Sequence, residues 1–361
     1  MPEIFIGLMS GTSLDGVDGV LVDLSQGAPR HLAHAHQAFA ADLRDELLVL
    51  NTAGDDELAR AARAANALAR IYAATVAALL AQKPDAKVCA IGCHGQTVRH
   101  RPADGYSIQL VNGALLAELT NIDIVCDFRS RDIAAGGEGA PLVPAFHQAV
   151  FAARDRHRVI VNIGGIANLS NLPQAGKVTG FDCGPGNILM DAWTQRHRNE
   201  PFDRDGAWAA SGCVIAPLLA QLREDGFFSR PPPKSSGRDL FNIDWLERHL
   251  SGAEQPQDVE ATLLELTAGT ISDAILRHCS GAREIYLCGG GARNTALCRR
   301  LEARLAPAIV SATDTLGINA EFVEATAFAW LAQRTMTVQC GNLPAVTGAR
   351  GPRILGAIHR A

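Results

Sequence analysis

The stretch most able to carry out chemistry is residues 180–187, with the sequence GFDCGPGN. Apolar residues lead into one carboxylate, Asp182, and two glycines and a proline then bend the chain before a helical pattern opens at Asn187. This order predicts a carboxylate at the mouth of a cleft, with a helix N-terminus behind it, and suits a general base in a phosphoryl-transfer enzyme. The alternative is an ordinary strand-to-helix turn with an acidic residue near the helix start.

Length and composition predict a soluble globular protein of two domains. The chain has 361 residues, of which 47% are hydrophobic and 20% charged, and this length exceeds one ordinary core. The net charge of −5, without a polybasic run, argues against nucleic acid or an anionic membrane as the partner. We expect neither a signal peptide nor a membrane span, because no apolar run reaches about 18 residues. The nine cysteines form no CxxC pair, which predicts buried, reduced thiols in a cytoplasmic protein and no zinc site.

A turn of small polar residues, 10–16, separates two strand patterns at 3–9 and 17–24. The tip of such a hairpin exposes N–H groups and hydroxyls that can cradle phosphate oxygens without a lysine, although a plain hairpin turn is the alternative. The same pattern of strand, small-residue turn and strand recurs at 159–172, around Gly164 and Gly165. Two such halves, facing each other across a cleft, would clamp the phosphates of a nucleotide.

A glycine triplet, residues 289–291, lies between a predicted strand at 284–287 and a predicted helix at 295–305. Backbone without side chains at a helix N-terminus lets adenosine or phosphate lie flat against it. The triplet matches neither the Walker motif nor the dinucleotide fingerprint, and similar turns also occur without a ligand.

Several other polar residues are candidate ligands, each with a structural alternative. His94 follows a predicted strand and either contacts the substrate or is a satisfied structural histidine. Arg131 either anchors an anionic substrate group or pairs with a neighbouring aspartate. Glu321 and Glu324 either act in the site or stabilise the start of a helix at 319–333. The proline-rich segment 231–239 either lines a substrate rim or, as we expect, connects two helices.

Taken in order, these motifs resemble those of the anhydro-N-acetylmuramic acid kinases, in the superfamily of actin, the heat-shock ATPases and hexokinase. The resemblance spans nearly the whole chain. It rests on IGLMSGTSLDGVDGVLVD, GCHGQTVRHRP, VCDFRSRDIAAGGEGAPLVPAFH, VNIGGIANLS, GFDCGPGNILMD, PPPKSSGRDLF, YLCGGGARN and LGINAEFVEATAFAWLA.

The resemblance implies an α/β fold of two actin-like (RNase H-like) domains, each with a mixed central sheet flanked by helices, and an active site in the cleft between them. We expect the N-terminal domain at 1–130, to which 338–361 could return. The C-terminal domain, at 131–337, would carry Asp182.

The resemblance also implies a cytoplasmic, homodimeric enzyme of peptidoglycan recycling. With ATP and Mg²⁺ it would convert 1,6-anhydro-N-acetylmuramic acid and water into N-acetylmuramic acid 6-phosphate and ADP, with Asp182 as the catalytic base. Thr97, Arg131 and Glu324 would bind the amino sugar, and no metal ligand is assigned. The residues implied to bind the nucleotide are Gly11, Thr12, Ser13, Leu14, Asp15, Gly16, Val17, Asp18, Gly164, Gly165, Gly289, Gly290 and Gly291.

The substrate's chemistry defines the task of Asp182. Its internal ether joins C1 to O6, so O6 has no proton for a base to remove. A water must therefore attack C1, and Asp182 would deprotonate that water, whereas an ordinary sugar kinase activates the sugar hydroxyl. The turn at 180–187 does not separate these two roles. The competing hypotheses are an actin- or chaperone-like ATPase and a kinase or phosphatase for another sugar.

Overall fold

The computed structural model describes residues 3–11, 13–238 and 240–361. The strands of this described part are, in chain order, β1 (Ile4–Met9), β2 (Gly16–Asp23), β3 (Arg30–Ala38), β4 (Val88–Cys93), β5 (Gln96–Arg101), β6 (Tyr106–Leu110), β7 (Ile124–Cys126), β8 (Arg158–Ile163), β9 (Ile166–Leu172), β10 (Thr179–Pro185), β11 (Glu284–Cys288), β12 (Ile309–Ala312) and β13 (Ala357–His359). The α-helices are α1 (Ala41–Val49), α2 (Glu57–Gln82), α3 (Gly113–Thr120), α4 (Ser130–Ala134), α5 (Val143–Phe151), α6 (Ile188–Arg198), α7 (Ala207–Ser211), α8 (Ala216–Arg223), α9 (Gly226–Ser229), α10 (Ile243–Glu247), α11 (Pro256–His278), α12 (Thr295–Leu305), α13 (Val323–Met336) and α14 (Pro344–Thr347). Short 3₁₀ turns include Gly290–Arg293 and Ala320–Phe322.

The chain divides into two compact units. The first contains the chain up to Val150 and again from Phe322 onward, and the second is Phe151–Glu321. The sequence analysis placed the division near residue 130 and returned only 338–361 to the first half. The unit boundary instead returns α13 as well, because this helix packs closely on β1 and β4. A Cβ on Gly7 would overlap the Ala325 carbonyl, and one on Gly92 would overlap the Phe328 carbonyl.

The first unit is built on a mixed sheet with the strand order β13-β7-β4-β1-β2-β3. Strands β1, β2 and β3 are antiparallel neighbours, and β1, β4 and β7 are parallel neighbours. Helix α2 buries Leu68, Tyr72 and Leu79 in a core shared with β1 and β4, while α13 buries Phe328 in a second core that includes Phe5. Helices therefore cover the sheet, as expected for a layered α/β fold.

Helix α2 is long and apolar enough, by length and composition, to cross a membrane. Its sequence has arginines at helical spacing, and its apolar side chains Leu68, Ala69, Tyr72 and Leu79 are fully buried within the first unit. A helix with one face in a core and charges on the other is typical of a helix packed in a globular domain.

The second unit repeats the strand arrangement of the first. Its sheet has the order β10-β9-β8-β11-β12, with β10, β9 and β8 antiparallel and β8, β11 and β12 parallel. Helix α11 lies at the centre of this unit and is buried along most of its length, from Val259 to Ser272. The predicted α/β class, with mixed central sheets flanked by helices, is confirmed. The recurrence of strand, small-residue turn and strand seen in the sequence corresponds to the β1–β2 and β8–β9 pairs.

The cysteines fit the sequence prediction only in part. None of the nine, all within the described residues, forms a disulfide. Cys93, Cys126, Cys183, Cys279 and Cys288 are buried as expected. Cys89, Cys213 and Cys340 are exposed instead, because they lie at a strand start or in loops.

Candidate functional site

Asp182 lies inside a strand rather than at its end, because β10 continues to Pro185. The pairing register of β10 with β9 shifts between Asp182 and Gly184. An irregularity of this kind re-aims a side chain and is frequent beside functional sites. Asp182 is only 9% exposed, so its carboxylate needs polar partners from the protein.

The main chain of the proline-rich segment bonds Asp182 twice, once at its own N–H and once at its carboxylate. The Asp182 N–H donates to the Lys234 carbonyl at 3.1 Å, and the Ser236 N–H donates to Asp182 Oδ2 at 2.8 Å. A main-chain N–H held on a carboxylate oxygen favours the ionised form that a general base requires. We expected a plain connector here, and the structure shows a segment in direct contact with the candidate base.

The Lys234 side chain fastens this segment to helix α9. Its ammonium group donates to the carbonyls of Phe227 at 3.0 Å and Phe228 at 3.5 Å, and lies 4.5 Å from the centre of the Phe227 ring. Burial lowers the pKa of Lys234, because removal from water disfavours the charged form. Lys234 thus anchors the segment that touches Asp182.

Three turns at the carboxyl ends of β8, β10 and β11 meet in the second unit. The N–H of Gly186 donates to the Gly165 carbonyl at 2.9 Å, and that of Asn187 donates to the Gly164 carbonyl at 2.8 Å. A Cβ on Gly186 would overlap the Gly164 carbonyl, so the first two turns touch through bare backbone. Ligands of α/β sheets bind at such strand ends.

The glycine triplet completes this group of turns. Gly289 has a φ of +78°, and a Cβ there would lie 2.5 Å from Asn162 Oδ1 and 2.7 Å from the Ile163 carbonyl. Asn187 bridges the turns, because its Nδ2 donates to the same carbonyl at 3.3 Å. A Cβ on Gly291 would overlap the Ile163 side chain. These glycines are therefore required by packing within the second unit.

Gly164 and Gly290 differ from their neighbours. A Cβ on either would meet nothing closer than 3.8 Å, which leaves the backbone at both positions open to approach. Open backbone beside a helix N-terminus is a feature that phosphate groups can approach. The second unit thus brings together Asp182, Gly164, Gly165 and the triplet 289–291.

Helix α11 is hydrogen-bonded to the turn that follows β10. Thr267 Oγ1 donates to the carbonyls of Pro185 and Gly186, at 3.2 and 3.0 Å. The same helix carries Glu260, which is fully buried and accepts from Thr194 Oγ1 at 3.3 Å. Burial, reinforced by the nearby carboxylate of Asp203, raises the pKa of Glu260 to about 9. Glu260 is therefore neutral at physiological pH.

The first unit holds the predicted phosphate loop between β1 and β2. Ser10 Oγ bonds the Tyr72 hydroxyl at 2.7 Å and donates to the Gly95 carbonyl at 3.2 Å, while Gln96 Nε2 donates to the Gly11 carbonyl at 3.1 Å. These bonds fix the base of the loop to the turn after β4.

The remaining residues of the predicted phosphate loop have different surroundings. Thr12 lies outside the described residues. Ser13 Oγ donates to Asp15 Oδ1 at 2.8 Å, and Leu14 is buried with a φ of +58°. Gly16, Val17 and Asp18 belong to strand β2, where Val17 is fully buried in the core. Asp18 Oδ1 bonds His36 Nδ1 on β3 at 2.8 Å.

His94 lies in the core of the first unit, next to Arg129. It is buried, and its Nε2 lies 2.9 Å from Arg129 Nη2, a guanidinium that also donates to the Gly139 carbonyl at 2.7 Å. Burial, and then the positive charge of Arg129, lowers the pKa of His94 to about 3. The imidazole is therefore neutral and contacts Arg129, while its buried Nδ1 has no hydrogen-bond partner among the described residues. Contact of His94 with the substrate stays a prediction.

The three predicted sugar ligands lie in the first unit. Thr97 Oγ1 accepts from Gln109 Nε2 at 3.1 Å across the β5–β6 hairpin. Arg131 is exposed on α4 and forms no ion pair with any residue in the described ranges, so the salt bridge offered as its alternative is not formed there. Glu324 is half-buried in the first turn of α13.

Asp132, next to Arg131, holds the loop after α4 in place. It is fully buried, its Oδ2 accepts from the Gly139 N–H at 2.9 Å, and its Oδ1 accepts from Asn342 Nδ2 at 2.6 Å and Thr347 Oγ1 at 2.8 Å. The carboxylate thereby ties the loop that follows Arg131 to the C-terminal part of the chain.

The sequence analysis did not single out Asn187, Thr267, Ser236 or Asp132. Asn187 stood inside the recognised motif, so its position was a usable signal. The others act through contacts far along the chain: Ser236 lies 54 residues from Asp182, and Thr267 lies 81 residues from Gly186. No local pattern marks such contacts.

Comparisons with known proteins give a consistent result. A family model described as anhydro-N-acetylmuramic acid kinase matches residues 3–361. Proteins of that name are similar to this chain: the one from Thiobacillus denitrificans is 56% identical, covering 99% of this chain and 98% of its own. The one from Nitrosomonas europaea is 55% identical, covering 99% of each.

Solved structures resemble the chain more distantly. The activator of 2-hydroxyisocaproyl-CoA dehydratase from Clostridium difficile, with bound ADPNP, is 13% identical with a TM-score of 0.48, covering 93% of this chain and 97% of its own. A ROK family glucokinase from Streptomyces griseus, in complex with glucose and AMPPNP, is 12% identical with a TM-score of 0.42, covering 92% and 99%.

Proposed function

This chain belongs to the anhydro-N-acetylmuramic acid kinase family, and on that premise we propose how its residues perform the reaction. It is a kinase for a small amino sugar. We propose that it converts 1,6-anhydro-N-acetylmuramic acid, water and ATP into N-acetylmuramic acid 6-phosphate and ADP. The observation that carries the mechanism is Asp182, a buried carboxylate held by the Ser236 N–H on an irregular strand.

Asp182 acts as the general base toward water. It removes one proton as the water oxygen bonds to C1, and the C1–O6 bond breaks so that O6 takes the electron pair. O6 then bonds to the γ-phosphorus of ATP, and ADP leaves. The second proton of the water stays on the new C1 hydroxyl. Support comes from the ionised form of Asp182, which its charge-assisted main-chain bond favours.

The nucleotide binds on backbone rather than on lysine. Open backbone at Gly164 and Gly290 fits the phosphates and adenosine of ATP, and Ser13 and Asp15 form the corresponding loop in the first unit. Bound Mg²⁺ supplies positive charge to the transferring phosphoryl group. The described residues contain no cluster of three metal-ligating side chains, and Mg²⁺ held mainly by phosphates and water needs none.

The sugar binds through Thr97, Arg131 and Glu324. Arg131 is an exposed guanidinium without an ion pair among the described residues, and it suits the lactyl carboxylate that distinguishes muramic acid. Arg131→Ala should raise KM for the muramic substrate ~10-fold or more, the effect of losing a charge-assisted hydrogen bond. An analogue without the lactyl group should be unaffected, and an equal loss on both substrates would refute the assignment.

The wider setting follows from the same reaction. A substrate of this kind comes from released cell-wall sugars, so we propose that the enzyme serves peptidoglycan recycling in the cytoplasm, as a homodimer. Size-exclusion chromatography with light scattering tests the dimer, and a monomer at enzyme concentrations used for assay would contradict it.

Two measurements test the mechanism. In ¹⁸O-labelled water, hydrolytic opening places the label on C1, whereas direct phosphorylation of a sugar hydroxyl leaves C1 unlabelled. Asp182→Asn should abolish turnover while nucleotide affinity is retained, because the amide cannot accept the proton but leaves the glycine turns intact. Substantial turnover in this variant would exclude Asp182 as the base.

The competing class, an actin- or chaperone-like ATPase, makes the opposite prediction about coupling. ADP release should require the anhydrosugar in a kinase, and N-acetylmuramic acid should not replace it. Vigorous ATP turnover without sugar would favour the ATPase.

A further inference from the structure

The hydroxyl of Ser236 is a polar group that the proposed mechanism leaves unused. Ser236 Oγ is buried and has no hydrogen-bond partner among the residues that the structure describes. Its own N–H is the group that donates to Asp182 Oδ2, at 2.8 Å. The residue that holds the carboxylate of the candidate base therefore also carries a buried, unpartnered hydroxyl, three covalent bonds from the donating nitrogen.

Ser236 is held firmly in this position. On one side, Lys234 accepts the Asp182 N–H at its carbonyl and fastens its ammonium group to the Phe227 carbonyl, at 3.1 and 3.0 Å. On the other side, Phe241 is fully buried, stacked on Phe228 with ring centres 5.6 Å apart. A hydroxyl fixed between two anchors is pre-organised, so its position costs little at the moment of reaction.

A buried hydroxyl without a partner is costly, and in native proteins such groups call for an explanation. We infer that Ser236 Oγ contacts the attacking water and accepts a hydrogen bond from the O–H that Asp182 does not deprotonate, so that this proton stays on the new C1 hydroxyl. Two acceptors, the carboxylate and the hydroxyl, fix both O–H bonds of the water and aim its lone pair at C1. This inference rests on the proposed role of Asp182 and adds a second catalytic residue to it.

The neighbouring serine provides a matched control. Ser235 has the same side chain and lies one residue away, but within the described ranges it forms no side-chain hydrogen bond, to Asp182 or to any other residue. Ser236→Ala and Ser235→Ala thus delete the same hydroxyl from adjacent positions, and Ser236→Thr keeps the hydroxyl.

The experiment compares kcat, KM and the pH profile of kcat for these variants, using the anhydrosugar and ATP. Ser236→Ala should lower kcat ~10-fold, the effect of one lost hydrogen bond in the transition state, with both KM values unchanged. The acid limb of its kcat profile should stay in place, because the N–H that holds Asp182 remains. Ser236→Thr should recover most of the rate, and Ser235→Ala should match the unmodified enzyme.

Three results would overturn the inference: Ser236→Ala equal to Ser235→Ala, a loss confined to KM, or Ser236→Thr as slow as Ser236→Ala. The Asp182→Asn variant shows whether only the role of Ser236 is wrong or whether the proposed role of Asp182 is wrong as well. An inactive Asp182→Asn beside a fully active Ser236→Ala removes only the role of Ser236. An active Asp182→Asn removes the proposed base and Ser236 with it.

Discussion

The buried Glu260 should make the second unit lose stability as the pH rises. Glu260 lies on α11, the helix whose Thr267 holds the turn after Asp182, and its pKa is raised from 4.5 to about 9. Between these two values the unfolded chain ionises this carboxyl, whereas the folded chain keeps it protonated. Folding therefore becomes less favourable at higher pH, and the loss is complete once the pH passes the folded pKa.

The magnitude follows from the linkage relation. Each pH unit between 4.5 and 9 costs about 1.4 kcal/mol of unfolding free energy for one such group. From pH 5.5 to pH 8.0, Glu260 should remove about 3 kcal/mol from the second unit. Glu260→Gln abolishes the titration while it keeps an acceptor for Thr194, so this variant should lack that part of the pH dependence.

Urea unfolding at the two pH values measures the effect. Trp193, Trp208 and Trp245 lie in the second unit, so tryptophan fluorescence reports mainly on it. The informative quantity is the change in unfolding free energy from pH 5.5 to 8.0, compared between the parent chain and Glu260→Gln. Glu302→Gln, an exposed carboxylate on α12, is the control, since it removes one charge without altering the core.

The absolute stability of Glu260→Gln does not decide the matter, because a buried amide brings its own unpaired donors. The deciding quantity is the change in unfolding free energy between pH 5.5 and pH 8.0. If the parent chain and Glu260→Gln change in parallel from pH 5.5 to 8.0, Glu260 is already ionised in the folded state and the reasoning from its burial is wrong.

Three further predictions concern the glycine triplet, Asp132 and two buried histidines. Gly290→Ala should fold normally but weaken ATP binding ~10-fold, because the added Cβ enters open space where the nucleotide approaches, as titration calorimetry would measure. Gly289→Ala should instead lose about 1–3 kcal/mol of stability in thermal melting, because its φ is +78° and its Cβ would overlap the Ile163 carbonyl. Weaker ATP binding in Gly289→Ala and lower stability in Gly290→Ala would contradict this assignment. Asp132→Asn should destabilise the first unit by about 3 kcal/mol, since an amide nitrogen replaces one of the two oxygens that together accept three hydrogen bonds. An unchanged melting temperature would exclude this role. Burial lowers the pKa of both His94 and His147 to about 3. The unfolded chain takes up protons at these histidines between pH 7 and 5, so the first unit should lose about 2 kcal/mol of unfolding free energy per histidine. Hydrogen exchange of the α2 amides measures this loss, and equal protection factors at the two pH values would refute it.

The sequence predicted the elements with strong periodicity. The apolar repeat of α2, the long pattern of α11 and the β-branched runs of β8 and β9 all formed near their predicted bounds. Strand β10 was read as a strand that stops at Asp182, because Gly184 and Pro185 usually end strands. Pairing with β9 outweighed that local signal. Strand β13 was not predicted, since three residues at an edge carry almost no pattern.

The candidate site was predicted as far as its residues lie in compact motifs. Asp182, the glycine turns and Arg131 each stand in a recognisable stretch. Ser236 acts through its main-chain N–H, a group that every residue except proline has, so its side chain gave no hint. His94 drew attention as a titratable group at a strand end, but only the surrounding core shows that it is neutral. The missing information was a hydrogen bond to a distant residue for Ser236 and burial by distant residues for His94.

The return of the chain at Phe322 has a consequence for biosynthesis. On the ribosome, the second unit is complete once Glu321 has emerged, whereas the first still lacks α13 and β13. Until then the face of its sheet that carries Phe5 and Val22 lacks the part of its cover that α13 supplies through Phe328 and Ala329. Nascent domains usually fold in the order of synthesis. Here the first unit begins to be synthesised first but is completed last. We expect a chaperone to bind the exposed apolar face of its sheet while the second unit folds.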